Sequence, residues 1–469
     1  MGHFLIRDAE IGGARVDLRI AGERVAALGS GLEPGPREQV IEAAGGALVP
    51  GLHDHHLHLL AWAAALGSLR CGPPDVRDEA ALAALLRDAA RSAGPKAWLR
   101  GVAYHESVAG ELERSRLDAF VAEAPVRIQH RGGALWMLNS EACRRLGLDS
   151  GADAPGVERD AAGVATGRLF RLDAWLRERL GREALPDLAP VGAALARYGV
   201  TGVTDATPAL ERPALDALAG AAASAALPQR LVLLGAPAAG VSFGIGPHKL
   251  LLDEHALPPL DELAERIAAV HRGARPVAVH CVTRAELVLA LAAFDAAGVL
   301  AGDRVEHASV APPELVEWIA RLQLAVVTQP GFVRSRGDDY LREVAAQDRP
   351  WLYRCAGFTA AGIALGAGTD APFGEPDPWL AMQAAVDRKS AAGATLGAGE
   401  SLSPERALAL FTTPAEAPGG APRRITAGAL ADLCLLDRPW ARARDALTSG
   451  AVAATFRAGR LIYARAPLV

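Results

Sequence analysis

The second half of the chain alternates strand-like and helix-like segments with a regularity that few folds accommodate. After residue 190, short apolar runs are separated by amphipathic, Ala-rich stretches, of which 260–272 and 284–297 are the clearest. The strand candidates are 201–205, 230–235, 248–252, 277–281, 304–308, 324–328 and 363–368. With an earlier strand that leads into His56, they make the eight βα units of a (β/α)8 TIM-like barrel. We therefore predict an α/β protein.

Both ends of the chain predict short antiparallel strands instead. Residues 1–49 and 425–469 alternate apolar and polar positions between turn residues. We predict that these segments form one small β-sandwich domain and that 50–424 form the barrel. An inserted region at about 60–190, which includes a Gly/Asp-rich loop at 149–167, is expected after the first barrel strand.

Polar residues close the barrel strands at the ends where (β/α)8 enzymes carry their catalytic groups. His56 and His58 are two positions apart, so both point the same way and can bind one metal ion. His53 and His55 have the opposite parity and should point away, whereas Asp54 could support the ligands. The later strands contribute Lys249, His280, His307 and Asp370. This set suits a pair of divalent ions of the zinc type.

Lysine is scarce in this chain. Of 49 basic residues only three are lysines, namely Lys96, Lys249 and Lys389. An amine can lose its proton and react with carbon dioxide to give a carbamate, a carboxylate-like metal bridge, whereas a guanidinium stays protonated. Of the three lysines, Lys249 lies on a predicted barrel strand, at 248–252, and is therefore the candidate bridge between two ions. Without it, the remaining five ligands suit a single ion better.

Composition and charge argue against several other classes of protein. The net charge of −5 and the lack of an arginine-rich block argue against a nucleic-acid partner. No apolar run approaches the roughly 18 residues of a membrane span, and the first residues do not resemble a secretion signal. We expect a cytoplasmic protein with no membrane partner. The five scattered cysteines lack CxxC spacing, which argues against disulfides and a thiolate zinc site.

Four segments resemble the metal-dependent amidohydrolase superfamily, and within it the branch that contains N-substituted formamide deformylases. They are Pro-Gly-Leu-His-Asp-His-His-Leu-His at 50–58, Val-Ala-Val-His-Cys at 277–281, Arg-Val-Glu-His-Ala at 304–308 and Gly-Ala-Gly-Thr-Asp-Ala-Pro at 366–372. The resemblance covers nearly the whole chain. It implies that His56, His58 and Asp370 hold one ion, that His280 and His307 hold a second, and that carboxylated Lys249 bridges them.

The same resemblance implies a reaction. A hydroxide held between the two ions would attack a carbonyl carbon, while Asp370 takes up its proton and delivers it to the leaving nitrogen. The expected substrate is a small molecule with a non-peptide carbon–nitrogen bond, namely an amide, an N-formyl or N-acyl group, or a cyclic imide. Many relatives are dimers, so a homodimer is also expected.

Substrate contacts are expected from residues that flank the barrel mouth or lie in the inserted region. The candidates are Tyr104, His105, Arg131, Trp136, Asn139, Phe373 and Arg388. An arginine among them could bind a substrate carboxylate through two hydrogen bonds. Two departures from the branch bear on the substrate: Ala134 stands where a histidine is common, and Glu254 rather than glycine follows Asp253.

Other functions stay open on the sequence alone. A mononuclear zinc aminohydrolase would deaminate a ring, although Thr283 occupies the position where such deaminases carry a shuttle glutamate. A lactonase, cyclase or isomerase could use the same site. A non-catalytic barrel is the remaining alternative, and it is expected to have lost the ligands that this chain retains.

Overall fold

The computed structural model describes residues 3–94, 96–181, 185–237 and 243–465. The chain forms two compact units, Met1–Leu59 with Leu188–Val469, and Leu60–Asp187. Parts of the predicted domains lie outside the described residues, namely 1–2, 95, 182–184, 238–242 and 466–469.

The secondary structure alternates strands and helices through most of the described chain. The strands are β1 (His3–Ile11), β2 (Ala14–Ala21), β3 (Arg24–Gly29), β4 (Gln39–Glu42), β5 (Leu48–Pro50), β6 (Leu52–Leu57), β7 (Leu69–Arg70), β8 (Leu99–Tyr104), β9 (Val126–His130), β10 (Leu135–Leu138), β11 (Val157–Arg159), β12 (Ala165–Phe170), β13 (Val200–Asp205), β14 (Arg230–Leu233), β15 (Gly244–Ile245), β16 (His248–Leu251), β17 (Val277–Cys281), β18 (Arg304–His307), β19 (Ala325–Thr328), β20 (Leu365–Ala367), β21 (Leu433–Leu436), β22 (Val452–Arg457) and β23 (Arg460–Ala464). The helices are α1 (Leu59–Leu66), α2 (Glu79–Ala93), α3 (Glu106–Ala109), α4 (Arg114–Phe120), α5 (Ser140–Arg145), α6 (Asp173–Leu180), α7 (Ala189–Arg197), α8 (Arg212–Ala223), α9 (Leu260–Arg272), α10 (Arg284–Ala297), α11 (Pro313–Arg321), α12 (Gly331–Glu343), α13 (Ala356–Ala360), α14 (Pro378–Asp387), α15 (Pro404–Ala409) and α16 (Trp440–Ala443). Within the described ranges, no helix has both the length and the apolar character needed to cross a bilayer.

Two four-stranded sheets are built from the two ends of the chain. One has the order β3-β2-β1-β4, and the other has the order β23-β22-β21-β5. Apolar residues from both sheets share one core, in which the rings of Phe4 and Phe456 meet edge-on at a centroid distance of 5.3 Å. Leu18, Ile20 and Leu433 lie in the same core. Burial of this apolar surface therefore joins the two chain ends.

The middle of the first unit is parallel β structure. Its strands form two sheets with the orders β15-β14-β13-β6 and β16-β17-β18-β19-β20. Helices lie between most consecutive strands, as the crossover between parallel neighbours requires. The seven strand candidates after residue 190 are confirmed within two residues at each end, and α9 and α10 match the predicted helices. The short strand β15 was not predicted.

The chain after β20 lies against β6 through backbone hydrogen bonds. Asp370 N donates to His56 O at 2.7 Å, and His58 N donates to Ala371 O at 2.8 Å. Gly368 lies in this close approach, where an added Cβ would come within 2.5 Å of His56 N. The glycine therefore permits the contact that brings Asp370 to the β6 histidines.

Replacing Gly368 by alanine is expected to lower the free energy of unfolding by about 1–3 kcal/mol. The new methyl group would clash with the backbone of His56, which cannot move away as a flexible side chain could. Urea unfolding measures the change. Gly220→Ala in α8 is the control: its Cβ would meet no described atom within 4 Å, and alanine should stabilise that helix by up to about 1 kcal/mol. Equal unfolding midpoints for wild type and Gly368→Ala would contradict the role given to this glycine.

The second unit is a six-stranded sheet with helices packed against it. The strand order is β11-β12-β10-β9-β8-β7. The predicted loop at 149–167 is wrong in part, because β11 and the start of β12 lie inside it and pair antiparallel. Most of the Gly and Asp residues that suggested a loop lie before β11 or in the turn between the strands, and β11 has only three residues, too few to show an alternating pattern.

Candidate metal centre

Strand β6 is buried along its length and ends in the first two candidate ligands. His56 Nε2 lies 3.5 Å from Asp370 Oδ1, and His58 Nε2 lies 3.3 Å from the same oxygen. These separations are longer than charge-assisted hydrogen bonds. Among the described residues, Asp370 Oδ1 is a buried oxygen with no hydrogen-bond partner of normal geometry. Ligand atoms about 2.1 Å from one tetrahedral ion lie roughly 3.4 Å apart, so the spacing is of the size that an ion requires.

Two further histidines join this group from β17 and β18. The ring centroid of His307 lies 4.7 Å from that of His56 and 4.4 Å from that of His280. One ligand atom from each of His56, His307 and Asp370 lies within 4.8 Å of the others. The structure thus brings together His56, His58, His280, His307 and Asp370 from four separate strand ends. Burial and neighbouring cationic groups lower the pKa of His307 to about 3, so its imidazole is neutral and able to bind a metal.

Backbone strain accompanies two of these residues. His307 has φ +70° and Asp370 has φ +55°, both in the left-handed region that non-glycine residues rarely occupy. Such conformations persist where surrounding structure holds them, and they cluster at functional sites. The strain supports a functional reading of both strand ends.

Lys249 lies on β16 and is only 4% exposed. Its Nζ has no hydrogen-bond partner within the part of the chain that the structure describes. Burial lowers the pKa of Lys249, which favours the neutral amine. A buried amine without a hydrogen-bond partner lowers the stability of the folded protein. A group attached to Nζ, or an ion bound near it, would reduce that cost.

These observations test whether the residues fit a metal. The donor set combines imidazoles, a carboxylate and an amine, and two of its buried polar atoms, Lys249 Nζ and Asp370 Oδ1, are left without partners among the described residues. Imidazole and carboxylate are the ligands that zinc prefers outside thiolate sites. The residues therefore fit a divalent ion.

In three of the four candidate ligand histidines, the Nδ1 atom is held by a neighbour. His56 Nδ1 lies 2.5 Å from Glu306 Oε2, and His307 Nδ1 lies 2.6 Å from Gln329 Oε1. His58 Nδ1 lies 3.1 Å from the hydroxyl of Thr207. With Nδ1 engaged in all three rings, Nε2 is the atom left to face a metal.

Glu306 and Gln329 were missed by the sequence reasoning. Burial alone would raise the pKa of Glu306, but the Arg304 guanidinium, together with Lys249 and His56, holds it well below its usual range. Both residues are fully buried polar groups next to a predicted strand end. A glutamate inside an apolar strand was the available signal, since such a residue needs a partner.

Aspartates support the loops around the ligands. Asp54 Oδ1 accepts hydrogen bonds from His56 N and Thr369 N, both at 3.1 Å, and its Oδ2 accepts one from the Thr369 hydroxyl at 2.6 Å. Burial raises the pKa of Asp54 to about 7. Asp205 accepts hydrogen bonds from the backbone of Leu59, which follows His58, and of Thr207, whose hydroxyl contacts His58 Nδ1.

The other two histidines of β6 make contacts on the opposite side of the strand. His53 Nε2 lies 2.9 Å from the Thr204 hydroxyl, and His55 Nε2 lies 2.8 Å from the Thr413 hydroxyl. This is the direction that strand parity predicts. All five cysteines are free and buried, and burial raises the pKa of Cys281 well above its usual range. A thiolate ligand or nucleophile at Cys281 is therefore disfavoured.

Two substrate candidates lie in the first unit. The ring of Phe373 meets His58 edge-on at a centroid distance of 5.4 Å, which places an apolar surface beside a ligand. Arg388 is fully buried, and its guanidinium donates to the carbonyl oxygens of Leu396, Tyr353 and Leu352. Those carbonyls, rather than a substrate carboxylate, are the acceptors of Arg388.

The remaining candidates lie in the second unit. Tyr104 is buried and its hydroxyl donates to Gly110 O at 2.5 Å, while Trp136 Nε1 donates to Asp173 Oδ1 at 2.9 Å. His105 caps α3, and Arg131 follows β9 with a partly exposed side chain.

Asn139 uses all of its hydrogen-bonding capacity inside the second unit. Its Oδ1 accepts from Val126 N and Ala142 N, and its Nδ2 donates to Val121 O and Ala124 O. Two acceptor bonds and two donor bonds are what an amide side chain offers. We therefore give Asn139 and Arg388 structural roles and leave them out of the substrate pocket.

Comparison with known proteins agrees with this geometry. Residues 39–463 match the amidohydrolase family. An N-substituted formamide deformylase of Arthrobacter pascens is 25% identical, with 89% of each chain covered, and a putative amidohydrolase, YtcJ, of Bacillus subtilis (strain 168) is 25% identical, with 80% of each covered.

A solved structure shows the same fold. It is an uncharacterized metal-dependent hydrolase from Pyrococcus furiosus, which matches 93% of this chain and 99% of its own with a TM-score of 0.67 and 21% identity. The predicted α/β fold is confirmed. Since the family match spans most of the sequence, the chain belongs to the amidohydrolase family and is an enzyme that acts on carbon–nitrogen bonds.

Proposed function

We propose that this enzyme hydrolyses a non-peptide carbon–nitrogen bond of a small molecule with two divalent ions, most simply zinc, bridged by a carbamate on Lys249. The observation that carries the proposal is the buried Lys249 Nζ, which lacks a partner among the described residues. In a chain that uses arginine almost throughout, a lysine in this position is explained by chemistry that only an amine can perform.

The proposal includes an architecture. We infer that the parallel strands close into one barrel, because the chain after β20 is hydrogen-bonded to the end of β6. The two terminal sheets would pack as a sandwich around their shared core. A closed barrel would have the candidate ligands at the carboxyl ends of its strands, where catalytic groups are expected.

The ligand assignment follows the strand ends. His56, His58 and Asp370 would hold one ion, and His280 and His307 would hold the other, with carboxylated Lys249 between them. When bound, the ions supply Lewis acidity that polarises a carbonyl and makes water a stronger acid.

Asp370 would act as the general base and then as the general acid of the reaction. Burial raises its pKa, but His58, His56 and His307 together hold it below the usual range, so the carboxylate is ionised and able to accept a proton. Its Oδ1 accepts no hydrogen bond of normal geometry from the described residues, so this oxygen is available to an ion. Asp370 would then protonate the leaving nitrogen. Asp54 holds the adjacent Thr369 in place through both carboxylate oxygens.

The substrate class rests on the relatives and on Phe373. The relative named as an N-substituted formamide deformylase makes N-formyl compounds the first choice, followed by N-acyl amines and cyclic imides. The Phe373 ring beside His58 offers an apolar surface to the group next to the scissile bond.

Hydrolysis assays on these three substrate classes test the proposal. Protein loaded with zinc and bicarbonate should release an amine from at least one class. The same protein after chelation should lose that activity and regain it when zinc is restored, because the ions supply the Lewis acid. Turnover of lactones alone, or equal turnover after complete metal removal, would contradict the proposal.

A mononuclear aminohydrolase is the second candidate, and one observation favours it. Ligand atoms of His56, His307 and Asp370 lie close together, although the two-ion proposal assigns His307 to a different ion from the other two. These three ligands could instead bind a single ion. The position where such deaminases carry a shuttle glutamate is Thr283. Its side chain caps the start of α10, and the Glu286 side chain completes the same capping box. Release of ammonia from aminated heterocycles by protein with one zinc per chain would favour this alternative.

A further inference from the structure

Glu306 connects a candidate metal ligand to a buried arginine. The carboxylate is fully buried, with Oε2 lying 2.5 Å from His56 Nδ1 and Oε1 accepting from Arg304 Nε at 2.6 Å. Arg304 is itself only 2% exposed. Both oxygens of Glu306 are therefore used inside the protein, and neither is left for a substrate.

The position of Glu306 is unusual for a strand. Neighbouring residues of a strand point to opposite faces, so Glu306 and the ligand His307 should face apart. Yet both lie close to the ring of His56, Glu306 through its hydrogen bond and His307 at a centroid distance of 4.7 Å. The left-handed backbone of His307, with φ +70°, marks where regular strand geometry ends.

This contact fixes which nitrogen of His56 carries the proton. A carboxylate only accepts, so Nδ1 must be the donor, and Nε2 keeps its lone pair on the side of Asp370. His58 and His307 have neutral partners on Nδ1, a hydroxyl and an amide oxygen. Of these three rings, His56 alone is backed by a charged group.

Arg304 makes the arrangement independent of a metal. Its guanidinium neutralises Glu306 within the protein, so the carboxylate does not need a bound cation as its counter-ion. The hydrogen bond to His56 can therefore exist before any ion arrives.

We propose that Glu306, held by Arg304, is a positioning residue that presets the tautomer and orientation of His56 and thereby strengthens metal binding. The inference rests on the proposed function only in taking His56 as a metal ligand. Partners of this kind orient the ring and raise its basicity, and their loss typically weakens metal binding roughly 10- to 100-fold.

Glu306→Gln tests the proposal, because it keeps the shape and removes the charge. We expect zinc to dissociate to a chromophoric chelator roughly 10 to 100 times faster than from wild type. In metal-free wild type labelled with ¹⁵N-histidine, His56 should show the Nδ1–H tautomer, assigned by comparison with His56→Gln. In Glu306→Gln that signal should shift or become a mixture of tautomers.

Glu400→Gln is the matched control. Glu400 is another buried carboxylate paired with an arginine, since it accepts from Arg354 Nε at 2.7 Å and from the backbone of Cys355 and Gly357. It contacts none of the candidate ligands. Glu400→Gln should show any loss of stability that comes from breaking a buried carboxylate–arginine pair. Its zinc dissociation rate should stay at the wild-type value.

Two results would overturn the proposal. One is an unchanged zinc dissociation rate and tautomer in folded Glu306→Gln. The other is an Nε2–H tautomer of His56 in metal-free wild type, a measurement that does not depend on any variant folding. Failure of wild type to bind zinc would instead contradict the proposed function, and the tautomer measurement would still decide the role of Glu306.

Discussion

Asp370→Asn is expected to remain folded and to lose turnover by roughly 10²- to 10⁴-fold, the range that general acid–base catalysis contributes. Asparagine keeps the size of the side chain but cannot take up a proton at neutral pH. The nearby imidazoles that hold the pKa of Asp370 below the usual range would lose their anionic partner at the same time. Steady-state rates on the substrate found by the screen, with circular dichroism to check folding, measure the effect.

Asp377→Asn is the matched control for that variant. Asp377 is a partly buried aspartate that caps α14 by accepting from Trp379 N and also accepts from the Ser449 hydroxyl; asparagine caps helices well. Turnover in this variant should stay near the wild-type value. A folded Asp370→Asn with wild-type turnover would remove Asp370 from the proton transfer.

Lys249→Arg is expected to lower turnover by roughly 10²- to 10³-fold, the cost of removing one preorganised electrostatic group from an active site. A guanidinium cannot form the carbamate, so the metal content should fall from about two ions per chain to about one. Lys389→Arg, at an exposed position, should change neither quantity.

A second variant separates lost chemistry from poor packing of the larger arginine. Lys249→Ala leaves space in which a small carboxylate such as acetate could take the place of the carbamate. Added acetate should restore part of the turnover and the second ion in Lys249→Ala. Wild-type metal content and turnover in folded Lys249→Arg would rule out the bridge.

Much of the parallel β structure could be predicted because its strands carry a local signal. Apolar runs such as β13 and β17 are bounded by amphipathic helices, and this pattern is visible without tertiary information. The candidate ligands were predicted from the rule that parallel strands present catalytic groups at their carboxyl ends. The scarcity of lysine, together with its position on a predicted strand, singled out Lys249, which the structure places at a buried strand position.

What the sequence could not supply is the partner of each buried polar group. Glu306 was missed because strand alternation predicts that it points to the face opposite His307. The positive φ of His307, where regular strand geometry ends, could not be predicted from the sequence. Arg388 and Asn139 were taken as substrate contacts because nothing local shows that backbone carbonyls and amides need them. Burial and complete hydrogen bonding become visible only with the fold.

The central claim is that Lys249 bridges two ions, and metal content per chain tests it most directly. Protein should be purified with zinc and bicarbonate and without chelator, then analysed for metal and, by intact mass under native conditions, for one added carbon dioxide. The account predicts about two zinc ions per chain in wild type and about one in Lys249→Arg. About one ion in wild type, with no added carbon dioxide, would contradict the bridge and favour a mononuclear site.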